Sequence, residues 1–228
     1  TMQDSELLRK LNQVLTKRFL RFLNEQAKKE EKNYLEFWNE FGPLIKEGAA
    51  TDYTYREDLA KLLLFESTAL DAGKLTGLDA YLDRMASDQK EILFLFGKSR
   101  ESIEAGPYLE AMHARGLEVL LLTEPVDEYV MQTINEYKDK KIVSADSEDF
   151  ELEKLDQEKD GESLDKKKTK TLCKWLKEKL GEKVSEVETG ERLIDSPVCI
   201  VGGDGPGGAS ARRMMKMMQG AGDAIPAH

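Results

Sequence analysis

Cysteine is almost absent from this 228-residue chain, which has only Cys173 and Cys199. The two lie far apart and neither has a neighbouring Cys or His, so they offer neither a metal-ligand spacing nor a disulfide framework. The expectation is two small, semi-buried residues in a reducing cytoplasm. Histidine is as scarce, with His113 and His228 alone. A nucleophile, base and orienter would therefore rest on His113, which lies in a charged stretch near Arg115 and reads as solvent-facing. No apolar run approaches the roughly 20 residues that a bilayer requires. Glu6, Arg9 and Lys10 interrupt what could otherwise be the core of a signal peptide. Positive charge is also in deficit, 34 Lys and Arg against 44 Asp and Glu for a net charge of -10. Such a field repels nucleic acid and anionic membranes, and the short cluster Lys166, Lys167, Lys168 does not reverse it.

What is present is enough for one large domain or two small ones with real cores, at 40% hydrophobic and 34% charged residues. After Asp4 or Ser5, either of which suits a helix N-cap, Leu8, Leu11, Leu15, Phe19, Phe22 and Leu23 recur in steps that favour one helical stripe. The spacing predicts a second helix through Tyr34, Leu35, Trp38, Phe41 and Leu44 up to Gly48. A third is expected through Leu59, Leu62, Leu63 and Phe65, and a short fourth capped by Thr76 with Leu78, Tyr81, Leu82 and Met85. The pattern then changes to continuous apolar runs at Ile92 to Phe96, Leu117 to Leu122 and Ile142-Val143, which read as buried strands. Helical stretches around Tyr108, Leu109 and Met112, and from Val126 to Tyr137, separate them. Strand, helix, strand, helix, strand predicts a small parallel sheet joined by crossovers.

Residues 146 to 170 are dominated by charge, acidic first and then lysine-rich, and read as a linker. Beyond it, Leu172, Trp175, Leu176 and Leu180 form a helical stripe ended by Gly181. Two strand candidates follow, Val184 to Leu193 and Val198 to Val201, joined by a turn at Asp195-Ser196-Pro197 that favours an antiparallel hairpin. The first residues precede a helix start by only a few positions and residues 224–228 follow no closing element, so both ends read as cut points in a longer chain. The expected architecture is α/β and α+β. It comprises a helical connector and a small three-layer α/β unit over residues 1–145, a charged linker over 146–168, and the beginning of an α+β domain over 169–228.

Candidate sites are few. Gly202 to Gly208 follows a strand candidate and precedes a helix candidate, the position of a phosphate-cradling loop. It lacks the Lys-Ser or Lys-Thr pair of a nucleotide loop, and Pro206 removes an amide donor, so a flexible loop is the stronger reading and a nucleotide-binding enzyme lobe the alternative. Carboxylates are abundant, but nothing isolates one pair as an acid and a base. The informative feature is Met214, Met215, Met217 and Met218 in one helix candidate. Residues one apart point about 100° away from each other, so these four cover too much of the circumference to enter one core. A methionine-filled core helix and an adaptable apolar contact surface both fit that pattern.

Several segments together resemble one family. They include Leu15-Thr16-Lys17-Arg18, Phe37-Trp38, Phe41-Gly42, Ile45-Lys46-Glu47-Gly48, Leu59-Ala60-Lys61-Leu62-Leu63, Phe65-Glu66-Ser67-Thr68, Leu78-Asp79-Ala80-Tyr81 and Arg84-Met85. With Glu118-Val119-Leu120-Leu121-Leu122-Thr123 and Val126-Asp127-Glu128-Tyr129, they are similar, in that order, to the middle domain of heat-shock-protein-90 chaperones of the bacterial HtpG type. Leu180-Gly181-Glu182-Lys183-Val184 and Arg192-Leu193-Ile194-Asp195-Ser196-Pro197 resemble the opening of that family's C-terminal domain.

The resemblance implies a fragment of an ATP-dependent chaperone that holds partly unfolded client proteins in the cytoplasm. It also implies that ATP with magnesium, the catalytic-loop arginine and the helices of a homodimer contact belong to parts of the parent outside this chain. This chain would then have no catalytic residue, cofactor or metal of its own, and no nucleic-acid or membrane partner, although co-chaperones are possible partners of the parent. For the client surface the resemblance implies Glu128, Tyr129 and Gln132 in the small α/β unit, and Met214, Met217 and Met218 on a mobile amphipathic helix.

Overall fold

A computed structural model describes residues 6–87, 89–147, 150, 165–190 and 196–199. The connector begins with α1 (Glu6–Lys29) and α2 (Glu31–Thr51), followed by the short α3 (Arg56–Ala60). Helix α1 forms as its spacing predicts, but of the predicted stripe only Leu23 is buried, beside Leu20, while Leu8, Leu11, Leu15, Phe19 and Phe22 are exposed. Helix α2 turns a different stripe inward than its large apolar residues alone suggest. Tyr34, Trp38, Gly42, Ile45, Lys46, Ala49 and Ala50 are buried, while Phe41 and Leu44 are exposed.

Two elements differ from the sequence expectation. Leu62 to Phe65 does not continue a helix: α3 stops at Ala60, and β1 (Leu64–Ser67) pairs antiparallel with β2 (Leu75–Gly77). Apolar spacing at 59, 62 and 63 satisfies a helix, and four strand residues are too few to declare their own alternation. Thr76 accordingly lies within β2 rather than capping a helix, and its hydroxyl accepts a hydrogen bond from Arg84 at 2.9 Å. The N-cap of α4 (Leu78–Arg84) is Gly77.

The remaining strands are β3 (Glu91–Phe96), β4 (Leu120–Leu122), β5 (Glu136–Tyr137) and β6 (Lys140–Ser144), in a six-stranded sheet of order β2-β1-β4-β3-β6-β5. Its centre, β4-β3-β6, is parallel as expected, with Phe94 opposite Leu120 and Leu93 opposite Val143. Antiparallel pairs flank it on both sides, so the sheet as a whole is mixed. Crossovers α5 (Arg100–Glu104) with α6 (Pro107–His113), and α7 (Pro125–Ile134), join the parallel strands.

Alternation along the central strands builds two cores. Ile92, Phe94, Leu120 and Leu122 face one way, towards α7 and the connector, whereas Leu93, Leu95 and Leu121 face α5 and α6. The approach of α5 to the end of β3 is close enough to require glycine at position 97, because a Cβ there would lie 2.5 Å from Ile103 Cγ1.

Helix α8 (Lys166–Leu180) ends at Gly181, whose φ of 58° suits a residue without a side chain. It takes in Lys166 to Lys168, which composition alone assigns to the charged segment. Beyond one turn of 3-10 helix at Gly181–Lys183, the described parts of the expected hairpin, residues 184–190 and 198–199, contain no strand. The rest of that hairpin lies outside the described residues.

Candidate functional site

Helix α7 gathers three of the six predicted contact residues. Pro125 opens it at a position where a missing amide hydrogen costs nothing, and Asp127 and Glu128 supply negative charge to its first turn. Asn135 ends it in a left-handed conformation (φ 49°), donating its backbone N–H to the Met131 carbonyl at 2.9 Å. Val130, Met131 and Ile134 pack inward against the sheet. Tyr129 is 39% exposed and Gln132 is exposed too, so both present surface. Glu128 differs: it is 6% exposed and belongs to the buried side of the helix. Met214, Met217 and Met218 lie outside the described residues, as does the run Gly202 to Gly208.

Beneath this surface is a feature that pattern reading misses. Lys46, on α2, is 5% exposed, and its Nζ lies 2.6 Å from Asp127 Oδ1 and 3.0 Å from Glu124 Oε2. Asp127 is 3% exposed, and its Oδ2 accepts the backbone N–H of Glu124 at 3.2 Å, closing the first turn of α7. The ammonium also lies 5.7 Å from the centre of the Trp38 ring and 5.8 Å from that of Phe65. Burial pushes the Asp127 carboxyl above the usual aspartate range, against the pull of Lys46. A sequence signal for the pair existed: Lys46 falls at helical spacing on the stripe Trp38, Gly42, Ala49 that α2 buries, where a charge demands a partner.

A cleft of about 280 Å³ adjoins this ion pair, lined in part by Trp38, Gly42, Phe65, Glu124 and Asp127. A larger groove lies between α8 and residues 185–189, beside Lys170, Cys173, Lys174 and Lys177, and includes none of the predicted contact residues. Among the described residues no cluster of three or more His, Cys, Asp or Glu could hold a metal, and no helix is long and apolar enough to cross a membrane. His113 is exposed at the end of α6, as its charged surroundings predict, and is not part of any such cluster.

Comparison with known proteins places this arrangement in context. A family model described as Hsp90 protein matches residues 1–225. A protein of Desulfitobacterium hafniense named "Chaperone protein HtpG" is 45% identical over 223 residues, which cover 96% of this chain and 35% of that protein. Proteins with the same name are 40% identical in Desulfotalea psychrophila, over 94% of this chain, and 38% identical in Shewanella amazonensis, over 99%; each alignment covers 35% of the relative. The chain thus spans about a third of the length of the curated relatives it matches.

Proposed function

This chain belongs to the heat-shock-protein-90 family, and from that premise we propose that it forms part of the client-holding region of an ATP-dependent chaperone that assists protein folding under stress. The observation that carries the reading is the asymmetry of α7. Its inner side is packed against the core and a buried ion pair, while Tyr129, 39% exposed, and Gln132 lie on its exposed side. A partly unfolded client exposes scattered apolar side chains, and a receptor for it needs adaptable area more than a demanding shape. Tyr129 offers a flat apolar ring with a polar tip, and Met214, Met217 and Met218 would add flexible, polarizable contacts.

Each such residue buries about 100 Å² on contact, so at roughly 25 cal/mol per Å² the four gain about 10 kcal/mol gross, of which association and ordering costs of about 4–15 kcal/mol leave little. Binding of that size is exchangeable, as a chaperone that releases its client requires. In this reading the chain performs no catalytic step. ATP with magnesium would be bound and hydrolysed elsewhere in the parent protein, which would act as a homodimer, with co-chaperones, in the cytoplasm.

Titration of an unfolded client into the protein and into Tyr129→Ala, and separately into a variant with serine at 214, 217 and 218, tests the proposal. Weaker binding with the fold intact is expected in both. Unchanged affinity in both rejects it. Calorimetry with ATP is expected to show no tight binding to this chain, whereas tight binding would favour a nucleotide-binding lobe built on Gly202 to Gly208.

A further inference from the structure

The apolar contacts beneath α7 hold it against the sheet, but apolar burial is itself non-directional. Val130, Met131 and Ile134 are buried in the core, and the gain from apolar burial has no direction of its own, the more so for the adaptable Met131. A cleft of about 280 Å³ adjoins Glu124 and Asp127, so that end of the helix is not packed on every side. Among the directional contacts at the start of the helix, those of Lys46 come from another element and reach the N-cap residue Glu124 and the first-turn residue Asp127 together. Tyr129 lies two positions beyond Asp127, about 200° around the axis, so it projects from the opposite side of the helix. A roll of about 20° would carry a side-chain tip ~6 Å from the axis through ~2 Å.

We propose that Lys46 is a positioning residue for the client surface: its buried contacts with Asp127 and Glu124 set the roll of α7 and so fix where Tyr129 and Gln132 are presented. The inference rests on the client-binding reading given above. It assigns to the ion pair a role in orientation rather than in stability, consistent with the general behaviour of buried pairs, whose desolvation offsets most of their attraction.

The decisive variant replaces both partners by apolar residues, Lys46→Met with Asp127→Leu, which restores packing without restoring direction. Unfolding by urea measures its stability, and titration with a fluorescent unfolded client measures its affinity. We expect a fold about as stable as the parent's, with client binding weakened roughly fivefold, the size of a coupling between neighbouring groups. That loss should disappear when Tyr129→Ala is already present, since there is no longer a ring to misplace; a merely structural role would leave it undiminished. The milder Lys46→Arg, which keeps the charge but alters its reach, should weaken binding less than the pair replacement. If Tyr129→Ala weakens binding but the pair variant binds as the parent does, positioning by Lys46 is wrong and the client surface stands. If Tyr129→Ala itself leaves affinity unchanged, the client surface is wrong and this role falls with it.

Discussion

The two faces of the sheet are held by different means. Under α5 and α6, Leu93, Leu95, Ile103, Leu109, Met112, Val119 and Leu121 form a compact apolar layer. Under α7 and the connector, a larger apolar layer also encloses Lys46 and Asp127, and Tyr81 sends its hydroxyl to the backbone. Apolar burial is non-directional, so the first face gains cohesion from it. The second gains cohesion and, through the ion pair and the tyrosine, fixed orientation. The helix expected to meet clients belongs to the second face.

Removing one charge from the pair should have the largest effect. Asp127→Ala leaves the Lys46 ammonium buried without its main partner and should cost about 3–5 kcal/mol in urea unfolding. Met112→Ala, on the other face, opens a cavity worth roughly 2–5 kcal/mol. It should nevertheless leave client affinity unchanged under conditions where the fold persists. If it weakens binding as the α7 variants do, the contrast between the faces is broken.

Tyr81→Phe is expected to cost somewhat less, about 1–3 kcal/mol. The Tyr81 hydroxyl donates to the Glu118 carbonyl at 2.7 Å and accepts from the Leu93 N–H and Gln89 Nε2, each at 3.0 Å. Its loss strands the Leu93 N–H within β3 and the Glu118 carbonyl just before β4. Burial pushes its own pKa up to about 12, so it remains a donor throughout the neutral range.

The smallest effect is one of pH. Burial raises the Asp127 pKa in the folded protein, so the native state keeps that proton to higher pH than the unfolded chain does. Between the ordinary aspartate value, about 3.9, and the raised one, the contribution of this group to stability falls as pH rises. Asp127→Asn should flatten that portion of a stability profile. An unchanged slope would mean that the pair is held more favourably than its burial suggests.

Much of the fold was legible because several elements carry strong local signals. The run Ile92 to Phe96 can only be buried on both faces, and Gly116 and Gly181 mark helix ends. The hairpin β1-β2 was not legible, because Leu62, Leu63 and Phe65 satisfy a helical stripe as well as a strand and the deciding partner, β4, is more than fifty residues away in sequence. For the site, resemblance supplied Tyr129 and Gln132, whose exposure the structure records. It could not supply Lys46, since charge in a sequence is read as surface unless its position on a buried stripe is weighed first. Glu128, which the resemblance does name, is buried rather than presented, and its charge gives no sign of that in the sequence.

The burial of Trp38 gives the protein an optical gauge. Trp38 is 6% exposed with the Lys46 ammonium over its ring, whereas Trp175 on α8 is 51% exposed. These are the two tryptophans of the chain. Emission from the first is expected to lie to the blue and to respond to the charge beside the indole, and that from the second to resemble a solvated ring. A change in the blue component alone would report on the surroundings of Lys46, which ties α2 to α7, so that junction can be followed without attaching any label.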